Sequence, residues 1–222
     1  AVCKKLNVKP DEVTIDGKRA IIYFLAAAGL PKDKVYHLWL KSLSSPTPTE
    51  IAPEVKIDDS GYVIKSQDRF QLGSQTPAKG EAMEFALMTA DKTTGAFGKI
   101  IPYPIESKQG PYRLWVELRS KKGDLFVIRG EGFEPDEEIN VTSTSDGEVA
   151  KAKTKVDSRG RLETVVLPAV VGKESGLATF TVLGKYGEVK VSYAWGTEAT
   201  KTATPPPIPS QTTSLPPLNI FM

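Results

Sequence analysis

The sequence predicts an all-β protein: two tandem β-sandwich domains followed by an extended Pro/Thr-rich C-terminal tail. Three observations carry that expectation. Runs of β-forming residues dominate, several with period-two alternation. Turn signals separate them at intervals of about ten residues. A set of turn motifs also occurs twice, in the same order, in the two halves of the chain.

The strands follow in chain order. Ala20 to Leu25 is a continuous apolar run, as in a strand buried on both faces. After the turn Gly29-Leu30-Pro31-Lys32-Asp33 comes Val35-Tyr36-His37-Leu38-Trp39-Leu40. In the second half Tyr112, Leu114, Val116 and Leu118 alternate with Arg113, Trp115, Glu117 and Arg119, so one face is apolar and the other polar. Lys121-Lys122-Gly123-Asp124 then turns the chain into Leu125 to Ile128, and Val189, Val191, Tyr193 and Trp195 share one face near the end. Glu81 to Thr89 has a helix-like set in Met83, Phe85, Ala86 and Leu87, but its place in the repeat makes it a strand.

The repeat aligns Gly29-Leu30-Pro31-Lys32-Asp33-Lys34-Val35 with Gly132-Phe133-Glu134-Pro135-Asp136-Glu137-Glu138-Ile139, with one residue inserted. Val55 to Val63 aligns with Thr154 to Leu162 without a gap, setting Asp58-Asp59-Ser60-Gly61 on Asp157-Ser158-Arg159-Gly160. Gly80 to Phe85 aligns with Gly176 to Phe180, giving Phe85 a strand position like that of Phe180. The physics of both turns is plain. A Gly that accepts positive φ ends one strand, a Pro/Asp-rich turn opens the next, and in Asp-x-x-Gly the Asp caps the turn that the Gly relieves.

These turns resemble those of the immunoglobulin-like modules repeated in bacterial surface and secreted proteins. The resemblance covers residues 12–106 and 111–196, and implies an immunoglobulin-like sandwich for each, an extracytoplasmic location and no active-site residues. The paired cysteines of antibody domains are absent, since Cys3 is the only cysteine. The remaining segments are an N-terminal stretch 1–11, a short junction ending in Gly110-Pro111, and the tail 197–222. The tail runs through Pro205-Pro206-Pro207-Ile208-Pro209 to the apolar end Leu218-Asn219-Ile220-Phe221-Met222. Leu218, Ile220 and Phe221 are the expected anchors by which it docks on a neighbouring subunit, by strand addition to a sheet edge among other modes.

Composition narrows the function classes. The 29 basic and 27 acidic residues leave a net charge of +2 and no concentrated basic face, which argues against a nucleic-acid partner. No apolar run is long enough to cross a membrane as a helix. Ala1 is a small residue of the kind that follows signal-peptide cleavage, although a trimmed chain would begin the same way. A lipid-modified cysteine would be the first residue of a mature chain, and Ala1 and Val2 precede Cys3; a free thiol in the N-terminal stretch is the favoured reading.

Catalytic and metal chemistry find little support. His37 is the only histidine and sits inside a strand, so triads and histidine-rich metal sites have no material. The acidic groups Glu131, Glu134, Asp136, Glu137, Glu138 and Asp58-Asp59 lack the spacing of a Ca²⁺ loop and read as solvated turn charge. Lys122-Gly123-Asp124 and Asn140-Val141-Thr142 are short adhesion and glycosylation patterns that turn and strand chemistry explain without a function. No cofactor fingerprint or metal-ligand spacing occurs. The favoured function is a non-enzymatic structural or adhesive subunit of a cell-envelope or extracellular assembly, with protein subunits as partners. The alternative is a carbohydrate-binding accessory module that stacks polysaccharide on exposed aromatics, Trp115 first, with Trp39 beside it and Trp195 more suited to the core.

Overall fold

The computed structural model of this 222-residue chain describes residues 2–15, 18–73 and 77–203. Every regular element among them is a strand. The first half supplies β1 (Val2–Lys5), β2 (Asn7–Ile15), β3 (Lys18–Ala26), β4 (Tyr36–Lys41), β5 (Thr49–Ile57), β6 (Val63–Lys65), β7 (Asp68–Arg69), β8 (Gln71–Leu72), β9 (Met83–Met88) and β10 (Thr94–Ile100). The second supplies β11 (Ile105–Gln109), β12 (Tyr112–Leu118), β13 (Phe126–Glu131), β14 (Glu138–Ser145), β15 (Glu148–Lys155), β16 (Leu162–Val166), β17 (Ser175–Gly184) and β18 (Gly187–Gly196).

The two halves repeat one strand plan. In the second, β11-β12-β13-β16 forms one sheet and β15-β14-β17-β18 the other. In the first, β2-β3-β8 is opposed by β1-β10-β9-β4-β5, extended by β6 and β7. Both halves cross between sheets after their second core strand, cross back for one short strand, and return for the closing hairpin. That Greek-key order defines an immunoglobulin-like sandwich. Each sandwich has its own core. One is built on Tyr23, Leu25, Tyr36, Leu38, Phe85 and Leu87, the other on Leu114, Val116, Phe126, Phe180, Tyr193 and Trp195.

The repeated turns have the same hydrogen bonds. Asp58 Oδ1 accepts from the amides of Ser60 (2.9 Å) and Tyr62 (2.8 Å), and Asp157 Oδ1 from those of Arg159 and Arg161 (both 2.9 Å). Gly61 and Gly160 close the turns at φ 84° and 68°. Their surroundings differ: a Cβ on Gly61 would sit 3.4 Å from the Ala27 carbonyl oxygen, whereas one on Gly160 would sit 2.0 Å from that of Phe133. Gly61→Ala is therefore expected to cost about 1–2 kcal/mol, the left-handed penalty alone. Gly160→Ala is expected to cost about 2–4 kcal/mol, because a backbone atom must also move. Urea unfolding of the two variants measures the difference.

Three expectations change. The first repeat motif aligns without an inserted residue. Tyr36, seven residues after Gly29, is fully buried like Ile139, seven after Gly132, while Val35 is 42% exposed. In that gapless frame Leu40 pairs with Phe85 where Ser143 pairs with Phe180, so the two phenylalanines are equivalent. Second, the apolar run of β3 is not buried on both faces: Ile21, Tyr23 and Leu25 are buried and Ile22 and Phe24 only half-buried. Third, residues 2–11 are not a separate segment. β1 pairs in parallel with β10, placing Cys3 beside Gly95, and β2 pairs with β3. Strand pairing likewise assigns Ile105–Gln109 to the second domain, through β12.

Candidate functional site

The most elaborate chemistry lies where the two domains meet. Glu117 belongs to the polar face of β12, yet it is completely buried. Lys99 reaches it from β10 of the first domain, with Nζ 2.6 Å from both carboxylate oxygens. Arg119 donates to the same carboxylate, and Arg129 Nε lies 3.6 Å from Oε2. Arg119 also reaches back to Glu84 on β9, at 3.7 Å. Burial alone pushes the Glu117 carboxyl up; the hydrogen bond and charge of Lys99, then of Arg119, outweigh it and hold the group below its ordinary value.

A second brace uses backbone. The segment 77–81 of the first domain is gripped from both sides. On one side Leu118 N donates to Gly80 O (2.9 Å), and Glu81 and Leu118 form a parallel bridge. On the other, the chain leaving β18 turns back, so that Ala78 bridges Thr202 and Ala203 N donates to Pro77 O (3.2 Å). Glu81, nearly buried, accepts from Ala78 N (3.0 Å) and Leu43 N (3.1 Å), fixing both first-domain loops under the second domain. Lys121 adds a contact to Ser44 O (3.2 Å). Residues 197–203, expected to begin the extended tail, thus form a strap: Ala199 packs in the second core and Ala203 in the first. The anchors Leu218, Ile220 and Phe221, and the proline run, lie outside the described residues.

The three tryptophans do not meet. Trp195 is 1% exposed in the second core. Trp39 is half-buried on the outer face of the first domain's larger sheet. Trp115 is half-buried on the outer face of β12, lining a hollow of about 500 Å³ with Arg129, Glu131, Lys155, Asp157 and Arg161. The Arg113 guanidinium stands 4.9 Å from the Trp115 ring, and Arg113 is itself paired with Glu106 and Glu131. A single indole already contacted by an arginine is not a multi-ring platform.

The other motifs have structural uses. His37 Nδ1 lies 2.6 Å from Glu50 Oε1 across the first domain's sheet. Glu137 accepts from Glu134 N and Lys185 N, and Glu134 accepts from the Tyr186 hydroxyl, so part of the acidic cluster serves to cap turns. Gly123 of the Lys-Gly-Asp turn is buried against Gly196, whose amide donates to its carbonyl at 2.6 Å. Asn140 to Thr142 lies within β14, paired on both sides. Among the described residues no three His, Cys, Asp or Glu gather as a metal site, and no helix is long and apolar enough to cross a membrane.

No family model matches this chain, and no curated protein does. Among solved structures, a tetra-tandem repeat from the extending region of a large adhesion protein aligns over 88% of this chain at 14% identity and a TM-score of 0.30. A two-domain fibronectin type-III segment of chicken tenascin aligns over 87% at 13% identity and 0.27, covering 99% of that segment. Red sea bream transglutaminase aligns over 87% at 9% identity and 0.28, with 31% of its own length covered. This chain spans half the length of the adhesion-repeat chain. These are similarities at a level too low to argue from, and the fold rests on the strand order described above.

Proposed function

We propose that the chain is a non-enzymatic structural or adhesive subunit of an extracellular or cell-envelope assembly, built from two immunoglobulin-like domains spanning about residues 2–104 and 105–203. The observation that supports it is the cross-braced junction. A buried carboxylate gripped from both domains and a first-domain segment paired on both edges are what a stiff spacer needs. Domains without such bracing move relative to one another by default. The buried side chains of the junction serve packing and charge pairing, and none is arranged to act on a substrate.

In this reading the tail beyond the strap makes contacts with a neighbouring subunit, with Leu218, Ile220 and Phe221 as its apolar anchors. The strap starts it from a fixed point at the junction. Deleting residues 205–222 is expected to shift the assembly to smaller species in light scattering, with the melting temperature unchanged. An assembly of unaltered size would refute tail docking.

A further inference from the structure

The first domain presents an outer sheet face that its fold leaves uncovered. A single cross-strand row runs over it: Lys5 on β1, Phe97 on β10, Ala86 on β9, Trp39 on β4 and Glu50 on β5, each paired in register with the next. Phe97 is 50% exposed, an unusual state for a phenylalanine within a sheet. A hollow of about 280 Å³ lies between Phe97 and Trp39 over Ala86, and a second of about 260 Å³ lies beyond Trp39, beside Met88. The centre of the row is apolar and its ends are charged, the anatomy of a protein interface. The two end charges are opposite.

That asymmetry selects the occupant. A two-fold axis parallel to the strands turns the row end for end and lays it on itself. Lys5 then faces Glu50 of the partner subunit, Phe97 faces the partner's Trp39, and Ala86 faces the partner's Ala86. The same operation generates each contact twice. Glu50 Oε1 is engaged by His37, which leaves Oε2 to face the incoming lysine. The closest approach falls at the small residue Ala86, which lets the flanking aromatic pairs come together. We propose that this face is a homodimer interface in which two first domains pack sheet on sheet with their rows reversed. It deepens the assembly reading above by naming a second copy of the chain as partner.

Charge reversal tests it. The full chain is expected to form dimers and larger multiples of them in sedimentation equilibrium, and Phe97→Glu or Trp39→Ala to weaken the dimer at least about tenfold. Lys5→Glu and Glu50→Lys are each expected to weaken homodimers about tenfold, because like charges then face one another twice. An equimolar mixture of those two variants restores association, since each heterodimer contact again joins opposite charges. The wild-type thiol of Cys3 reports geometry. With four strand spacings of about 4.8 Å separating the row's ends, spin labels on the two copies lie about 20 Å or more apart. A chain monomeric to about 1 mM would overturn the proposal. So would a mixture that associates no better than its components, or rapid Cys3–Cys3 crosslinking of the dimer, which marks β1 edge pairing instead. Loss of the dimer in Val165→Lys, at a valine 63% exposed on β16 of the second domain, would place the interface elsewhere and equally refute it. Circular dichroism confirms that each variant folds. When residues 205–222 are deleted the larger species are expected to be lost and the dimer to remain, so this inference and tail docking fail separately.

Discussion

Replacing Glu117 by alanine is expected to uncouple the two domains. The side chain is fully buried and holds Lys99, Arg119 and Arg129 together, so its removal leaves three cations crowded at the junction without their common anion. Loss of one partner from a buried ion cluster costs about 3–5 kcal/mol. Because the three cations are about one-third exposed, water recovers part of that, and about 2–4 kcal/mol is expected. Unfolding should change from one cooperative transition to two, and a distance distribution between labels on the two domains should broaden. Lys99→Ala should cost less stability, since Arg119 and Arg129 still neutralise Glu117, although it removes the first domain's hold on that carboxylate.

Acid should act on the same group. The folded carboxyl titrates below its ordinary value, so the coupling it supplies is fully present above the unfolded value near 4.5 and is lost as pH falls through the folded value. Interdomain coupling is therefore expected to be flat from neutral pH down to about 5 and to weaken below about 4.5. Weakening at pH 6–7 would exclude Glu117 as the cause.

The largest effect on stability should come from Trp195→Ala. Trp195 heads the fully buried side chains, packed with Gly176 on the neighbouring strand. A Cβ on that glycine would come within 2.8 Å of the indole ring. Emptying that space is expected to cost about 3–5 kcal/mol, a large share of a domain's stability of about 5–15 kcal/mol. Trp195→Phe should cost less than the alanine change, because the phenyl ring refills much of the space; neither change orphans a polar group, since the Trp195 Nε1–H has no hydrogen-bond partner among the described residues. Trp39→Ala, half-buried on the outer sheet face, should lower the urea midpoint less than Trp195→Ala when both are measured at concentrations where the chain is monomeric. Chemical unfolding followed by near-ultraviolet circular dichroism distinguishes the three.

The strand plan was legible because it is written locally. Asp58 and Gly61, like Asp157 and Gly160, carry their turn chemistry within four residues, and the alternation from Tyr112 to Val116 is a property of one strand. The junction was not legible, because its logic is distant in sequence. Glu117 reads as one more polar residue of that alternation. It is buried only because Lys99, on a strand of the other domain, closes over it together with Arg119 and Arg129. Nor does Val2–Lys5 announce itself: four residues with two lysines carry no periodic signal, and the strand exists because β10 offers a free edge. The strap was masked by composition, since Thr197 to Thr202 looks like linker. Two alanines spaced four apart, Ala199 and Ala203, are the small signal that it packs.

The strap also sets an order of events during synthesis. Ala203 belongs to the core of the first domain, whose last strand ends at Ile100. At about 5–20 residues per second, the ribosome adds the intervening stretch in about 5–20 seconds. For that interval the segment 77–78 lacks the strap residues 202–203 that pair with it in the finished protein. The first sandwich can form on its own core as it emerges, but it reaches its final packing only when residues made after the second domain arrive to pair with 77–78.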